Sequence, residues 1–210
     1  MASEIWINPG YGQKGFSTTE LKDIAISIGA LALAFTLIYA RRGTDFFSDN
    51  AVVNTLCWAG TSLIIVVICF LLHEFGHKFM AQRYGAWAEY RKFPQGLLLC
   101  ILLSLFGFLF AAPGAVVISG YIDKKRNGII SMAGPLVNLV LGTVFIVCLF
   151  FTAGKIHDIF YILAHFNVFL AVFNLIPIPP LDGSKIFDWS KPVYFGMAAV
   201  AVALLILFYI

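Results

Sequence analysis

The chain has 210 residues, of which 60% are hydrophobic and only 12% are charged, and its mean hydropathy is +0.90. These values exclude an ordinary soluble domain and are typical of a polytopic membrane protein. The formal net charge of +3 is unremarkable, because basic residues in such a chain set the membrane topology first. No basic patch of the kind that binds nucleic acid is visible, so we expect no nucleic-acid partner.

The first apolar run spans residues 21–40 and follows a helix-start signal. Ser17 and Glu20 have the spacing of a capping box, in which each side chain accepts a hydrogen bond from the other residue's backbone N–H. Further apolar runs reach or approach the roughly 20 residues that a helical span needs. They cover residues 51–72, 97–119, 129–151, 159–176 and 193–210. The pattern predicts an all-α polytopic membrane protein.

The second run ends in the motif His73-Glu74-Phe75-Gly76-His77. Helical side chains four residues apart project from one face, with about 6 Å between their Cβ atoms, so His73 and His77 suit two ligands of one zinc ion. Glu74 points elsewhere around the helix and is free to act as a base toward a metal-bound water.

The third run, residues 97–119, has basic residues on both flanks and is broken by Ala112-Pro113-Gly114. Both flanks favour the cytoplasmic side of the membrane, and the β-branched residues after the break favour an extended segment. We therefore expect a re-entrant element, in which a short helix descends from about residue 95 and an extended segment returns. Such backbone is tolerated at membrane depth where protein or a water-filled cavity covers it. A true sixth span is the alternative.

The re-entrant count leaves five transmembrane helices. It places eleven of the fourteen Lys and Arg residues at the cytoplasmic side or at inner helix ends. Arg41, Arg42 and Lys155 then lie outside, and the first two depart from the positive-inside pattern. The same count brings Asp182 to the membrane level of His77, which a sixth crossing would prevent.

Catalytic zinc takes three protein ligands and leaves one position for water, so a third ligand is required. The candidates in apolar sequence are Asp182 and His165 and, less plausibly, Asp158 or Asp188. Asp182 follows a stretch with three prolines that ends a membrane helix, and a carboxylate at this depth indicates a functional site. His165 would lie on the order of 25 Å from Asp182 along a mostly helical segment, so a structural role fits it better.

Three segments together resemble the site-2 proteases, which are zinc intramembrane metalloproteases. They are HEFGH at 73–77, SMAGPLVN at 131–138 and NLIPIPPLDG at 174–183, in the family's order. The resemblance implies a three-helix catalytic core in one integral membrane domain over residues 1–210. Residues 1–50 form a polar segment and the first span, 51–183 the core, and 184–210 the C-terminal span.

The resemblance also implies a role for each matching residue. His73, His77 and Asp182 would hold one zinc ion, and Glu74 would be the catalytic base. Asn138 and Asn174 would be polar groups near the substrate backbone, with the Asn138 amide also able to stabilise an oxyanion. The chain departs from the family in having Ser184 where a second glycine is common. It also has no room for the peptide-binding PDZ insertion of some members, which leaves substrate selection open.

The implied activity is hydrolysis of peptide bonds in or near transmembrane segments, through Glu-assisted attack of zinc-bound water. The partners would be a transmembrane protein substrate and the lipid bilayer of a prokaryotic cell membrane, with the active site toward the cytoplasm. Lys78, Gln82 and Arg83, next to Glu74 and His77, indicate a polar path for water. A substrate helix must unwind to be cut, and residues 115–121 are expected to pair with it by strand addition.

Two other classes of function compete with this interpretation. A membrane zinc protease of the prenyl-protein-processing type also carries HExxH, but it takes its third ligand from a downstream Glu, and no equivalent motif follows here. A non-proteolytic zinc or proton carrier, or a degenerate homologue, is the second alternative. The complete His, Glu and Asp set disfavours degeneracy, and no internal repeat of the transporter type is visible.

Overall fold

Five helices of the computed structural model are long and apolar enough to cross a membrane, counted over residues 15–41, 46–109 and 112–209, which the structure describes. They cover Thr18–Ala40, Ala51–Arg83, Lys124–Leu149, Gly154–Asn174 and Lys191–Phe208. The predicted all-α polytopic class is therefore confirmed. The start of the N-terminal polar segment and Arg42 lie outside the described residues.

The helices and strands follow each other in a simple order. Helix α1 (Thr18–Arg41) precedes a second span made of α2 (Ala51–Ile65), a π-helical segment (Val66–Leu71) and α3 (Leu72–Arg83). Strand β1 (Trp87–Lys92), helix α4 (Pro94–Ser104) and strand β2 (Gly114–Ser119) come next. Helices α5 (Lys124–Leu149), α6 (Gly154–Asn174), α7 (Asp182–Trp189) and α8 (Lys191–Tyr209) complete the chain.

The third apolar run is re-entrant, as predicted. Its helix α4 begins at Pro94, and β2 returns to pair antiparallel with β1, in a register from Trp87 opposite Ser119 to Lys92 opposite Gly114. Gly114 has φ +147°, and a Cβ there would lie 2.2 Å from the Arg91 carbonyl oxygen, so only glycine fits this turn into the strand. Because β1 and β2 lie side by side, the segment between them starts and ends at the same end of the helices, as a re-entrant element does.

Strand β1 was not predicted. Its sequence, Trp-Ala-Glu-Tyr-Arg-Lys, has no β-branched residue and no strict alternation of apolar and polar positions. Its middle residues Ala88, Glu89 and Tyr90 are nevertheless all buried. Tertiary packing, and not local propensity, therefore makes this segment a strand.

The capping box at the start of α1 is only half formed. The Glu20 N–H donates to the Ser17 hydroxyl at 3.1 Å, as the motif predicts. The Glu20 carboxylate does not return to Ser17 but bonds Lys78 and the Tyr90 N–H instead. The motif thus predicts the start of the helix correctly, although the Glu20 carboxylate makes other contacts.

Helices α3 and α5 meet through glycines, which allow their backbones to approach closely. A Cβ at Gly76 would lie 2.8 Å from the Ala133 carbonyl oxygen. A stretch of α5 around Gly134 therefore lies directly against the face of α3 that carries His73 and His77. Small residues serve in this way at contacts between membrane helices.

Candidate metal centre

His73, His77 and Asp182 converge although more than a hundred residues separate the histidines from the aspartate. The two histidines lie one turn apart on α3, and Asp182 is the first residue of α7. One ligand atom from each of the three residues lies within 4.8 Å of the others. All three residues are buried, with 5% to 8% of their surface exposed.

The distances between the donor atoms fit a tetrahedral zinc site. The Nε2 atoms of His73 and His77 are 3.1 Å apart, and Asp182 Oδ2 lies 3.5 Å from the first and 3.1 Å from the second. Zinc bonds of about 2.0–2.1 Å to nitrogen and oxygen at tetrahedral angles place ligand atoms about 3.3 Å apart. Two imidazoles and one carboxylate thus supply three donors at spacings that would suit one zinc ion, which is the number of protein ligands in catalytic zinc sites.

Gly134 on α5 leaves the space that the ligands need. A Cβ at this position would lie 2.3 Å from His77 Nε2 and 2.7 Å from His73 Nε2. These are the atoms that would bind the metal, so any larger residue at position 134 would occupy the ligand cluster itself. Gly134 is therefore required by the metal centre itself, whatever effect the neighbouring Pro135 has on the shape of α5.

The proline-containing segment after α6 places Asp182. A Cβ at the neighbouring Gly183 would lie 2.3 Å from the Leu175 carbonyl oxygen, so the start of α7 packs tightly on the end of α6. This packing holds Asp182, the first residue of α7, beside the two histidines.

Hydrogen bonds behind the histidines orient their rings. His77 Nδ1 lies 2.8 Å from the Ile130 carbonyl oxygen, and His73 Nδ1 lies 2.5 Å from Asn138 Oδ1. Both partners are acceptors, so each Nδ1 carries the proton and each Nε2 offers its lone pair to the metal. Helix α5 thus supplies both of these contacts.

Asn138 lies behind His73, and its role near the substrate backbone stays an expectation from the resemblance. It is fully buried, and its amide nitrogen donates to the Cys69 carbonyl at 2.8 Å and to Asn167 Oδ1 at 2.9 Å. Both amide hydrogens are therefore occupied, while its oxygen bonds His73. Asn138 links a metal ligand to the π-helical segment and to α6, which is also the alternative role that a lone Asn in a membrane helix commonly has.

Sequence reasoning missed Asn167 on α6. Its amide nitrogen donates to the Leu163 carbonyl at 2.8 Å, and it is fully buried against Cys69. A second asparagine inside an apolar span was the available signal, since polar residues in such spans face protein and find partners. Asn174 is half-buried, and its amide donates to Leu170 on the same helix at 3.0 Å, so its substrate role stays an expectation.

Glu74 lies beside the ligand cluster but outside it. It is buried, and its Oε2 accepts a hydrogen bond from the Val116 N–H of β2 at 3.0 Å. The carboxylate is therefore directed at the sheet strand that the sequence predicted to receive substrate. This position leaves the Glu74 carboxylate and the strand edge adjacent to each other.

Two other residues lie away from the centre. Lys78 was expected to line a water path but is fully buried in an ion pair with Glu20, which corrects that expectation. His165 packs against the rings of Phe166, Phe169 and Phe208 and is not part of the ligand cluster.

Comparison with known proteins places the chain in a family. The profile of peptidase family M50 matches residues 152–190, which include Asp182. Zinc metalloprotease MJ0611 of Methanocaldococcus jannaschii, a provisional name, is 38% identical over 92% of this chain and 97% of its own length. Zinc metalloprotease MJ0392 of the same organism is 33% identical over 63% of this chain and 34% of its own.

Zinc metalloprotease Rip2 of Mycobacterium tuberculosis, also a provisional name, is 31% identical over 62% of this chain. The chain spans 58% of the length of Rip2. No solved structure matches the chain. The near full-length relative and the family match show that the chain belongs to peptidase family M50. The three converging residues of the centre support the zinc metalloprotease function of that family.

Proposed function

We propose that the protein is an intramembrane endopeptidase that hydrolyses peptide bonds in or near transmembrane segments of other membrane proteins. The observation that carries the proposal is the position of the centre. His73, Glu74 and His77 lie on the helix Ala51–Arg83, which is long and apolar enough to cross a membrane, and all three are buried. A substrate bond must reach them there.

Zinc, when bound by His73, His77 and Asp182, acidifies water and polarises a carbonyl oxygen. Glu74 supplies the proton transfers, because its carboxylate is adjacent to the ligands and is not one of them. It accepts a proton as a peptide carbonyl is attacked and then delivers that proton to the leaving amine. Helix α5 holds both imidazoles in one tautomer throughout.

The outer edge of β2 is the proposed binding strand for an unwound substrate. The N–H groups of Val116 and of Tyr90, which lie opposite each other, point away from the sheet to Glu74 and Glu20. By the alternation of an antiparallel ladder, the N–H of Ile118 also points outward. An extended peptide added at this edge would have its backbone satisfied and its carbonyls beside Glu74.

The test compares purified wild type with Glu74→Gln on a model transmembrane peptide, with zinc measured in both. We expect one zinc per chain in each and cleavage by the wild type only. Equal turnover by the two proteins would contradict the proposal. Asp182→Ala tests the ligand set separately, since full zinc affinity in that variant would show that Asp182 is not the third ligand.

We further propose that the centre faces the cytoplasm of a prokaryotic cell. The concentration of Lys and Arg at the end of the helices that carries the sheet supports this orientation. Single cysteines at positions 124 and 155, in a cysteine-free background, would be labelled with a membrane-impermeant thiol reagent on intact cells. Only position 155 is expected to react, and labelling confined to position 124 would reverse the orientation.

A further inference from the structure

Glu20 and Lys78 form an ion pair with no exposed surface on either side chain, inside two membrane-crossing helices. The Lys78 ammonium also lies 4.1 Å from the centre of the Phe16 ring. A buried ion pair contributes little net stability, because an apolar pair of similar volume commonly serves the fold as well. Charged groups at membrane depth are rare and are usually tied to function.

Glu20 touches two parts of the proteolytic machinery at once. One carboxylate oxygen bonds Lys78, which lies one helical turn beyond Glu74 on α3. The other accepts the Tyr90 N–H of β1 at 2.9 Å, and Tyr90 lies opposite Val116 of β2. Glu20 therefore connects the catalytic helix to the sheet at the strand position that faces Glu74.

Three more polar residues, two on the same face of α1 and one directly before its first residue, also contact the sheet or the turn that leads into it. With Glu20 they form what we call the α1 polar stripe: Ser17, Glu20, Asp23 and Ser27. Ser17 donates to Glu89 at 3.1 Å, and Asp23 pairs with Lys92. Ser27 accepts from the Tyr90 hydroxyl at 2.9 Å and donates to the Pro113 carbonyl oxygen at 3.4 Å. Spacings of three and four residues place the stripe on one side of the helix.

We propose that Glu20 is a positioning residue that fixes the outer edge of β2 beside α3, so that the sheet is ready to receive the substrate strand. This inference rests on strand addition in the proposed function. Without the bridge, the sheet would adopt its binding-competent position for only a fraction of the time, and the apparent affinity for substrate would fall by that fraction. The metal ligands, which α3 and α7 carry, would stay in place.

The experiment compares two double variants that differ in one hydrogen bond. In Glu20→Gln/Lys78→Met, both charges are gone but the side chain at position 20 still accepts the Tyr90 N–H. In Glu20→Leu/Lys78→Met, that acceptor is also gone. Each is assayed for zinc content and for kcat and KM on a transmembrane peptide in detergent micelles, with substrate expressed as mole fraction. Asp158→Asn, in an exposed pair with His157, is the control for loss of an unrelated ion pair.

We expect full zinc and similar kcat in both double variants. KM is expected to stay within about threefold of wild type in Glu20→Gln/Lys78→Met and to rise about tenfold or more in Glu20→Leu/Lys78→Met. Equal KM values in the two variants at full zinc would overturn the proposal. If Glu20→Leu/Lys78→Met does not accumulate, Glu20→Asp, which shortens the bridge by one methylene, replaces it, and an unchanged KM there would also overturn it.

Failure of the proposed function is recognised separately. In the same assay, turnover by Glu74→Gln equal to wild type would remove the protease assignment, whatever the Glu20 variants do. Loss of cleavage in Glu74→Gln together with equal KM values in the two double variants would leave the protease in place and remove only the role of Glu20.

Discussion

The metal centre and the α1 polar stripe are two buried polar assemblies joined through neighbouring residues of α3, yet they are built differently. In the centre, the ligands are held by a few contacts with strict distances, and each ring has one partner behind it. In the stripe, four side chains share the task of holding one sheet. We therefore expect a single substitution in the centre to reduce zinc binding and cleavage strongly. A single substitution at the solvent-exposed end of the stripe should change the KM for substrate only slightly.

Gly134→Ala is expected to have the largest effect. The added methyl would lie 2.3 Å from His77 Nε2, so the histidines cannot keep their positions and stoichiometric zinc binding should be lost together with cleavage. Metal analysis of the purified protein measures this. Gly29→Ala on α1 is the matched control, because a Cβ there meets no atom within 4 Å apart from the nearby backbone of its own helix, and it should retain full zinc. Full zinc in Gly134→Ala would show that the centre is loosely built.

Asn138→Leu should come next, because it removes the acceptor behind His73 while keeping the side-chain volume. Partners of this kind typically change metal affinity by about 10- to 100-fold, measured here by competition with a chelator. Asn174→Leu is the matched control. Among the described contacts, the Asn174 side chain forms a hydrogen bond only to the Leu170 carbonyl oxygen of its own helix. Equal zinc affinity in the two variants would remove the role of Asn138 in orienting His73.

Ile118→Pro tests the outer edge of β2 with a smaller expected effect. Proline is tolerated on an edge strand where the N–H faces outward, so pairing with β1 should survive. The loss of one backbone donor for substrate should raise KM by about three- to tenfold, at the roughly 1 kcal/mol typical of a hydrogen bond. Ile118→Ala separates this effect from loss of the side chain. An unchanged KM in the proline variant would contradict strand addition at this edge.

Lys92→Met should have the smallest effect. Its pair with Asp23 lies at the rim of the sheet, where the Lys92 side chain is 29% exposed and water screens the attraction. Such a pair contributes about 0–1 kcal/mol, so KM should change by less than about fivefold. A larger change than in Glu20→Leu/Lys78→Met would mean that the rim, and not the buried bridge, positions the sheet.

The same contrast explains what could be predicted from sequence. The ligands His73, His77 and Asp182 are marked by short motifs whose chemistry limits the arrangements, and charge placement on the flanks of residues 97–119 revealed the re-entrant element. Strand β1 could not be found in this way, because its pairing partner and its burial come from distant parts of the chain.

Contacts with partners far along the chain were also the ones that sequence reasoning missed. Lys78 follows His77 directly and was placed on a water path, because nothing local shows that Glu20, 58 residues earlier, reaches it. The three bonds of Asn138 to α3, the π-helical segment and α6 could not be found from its motif either, because they depend on how the helices pack. The polar residues of α1, spaced by three and four positions, were the sequence signal that this helix has a buried polar partner.

The most direct test of the account maps the bond that is cut. Wild type and Glu74→Gln, both loaded with zinc, would be incubated with a transmembrane peptide in lipid vesicles, and the products would be identified by mass spectrometry. The account predicts cleavage within or at the edge of the apolar segment by the wild type and none by the variant. Cleavage confined to the soluble flanks of the peptide, or equal products from both proteins, would contradict it.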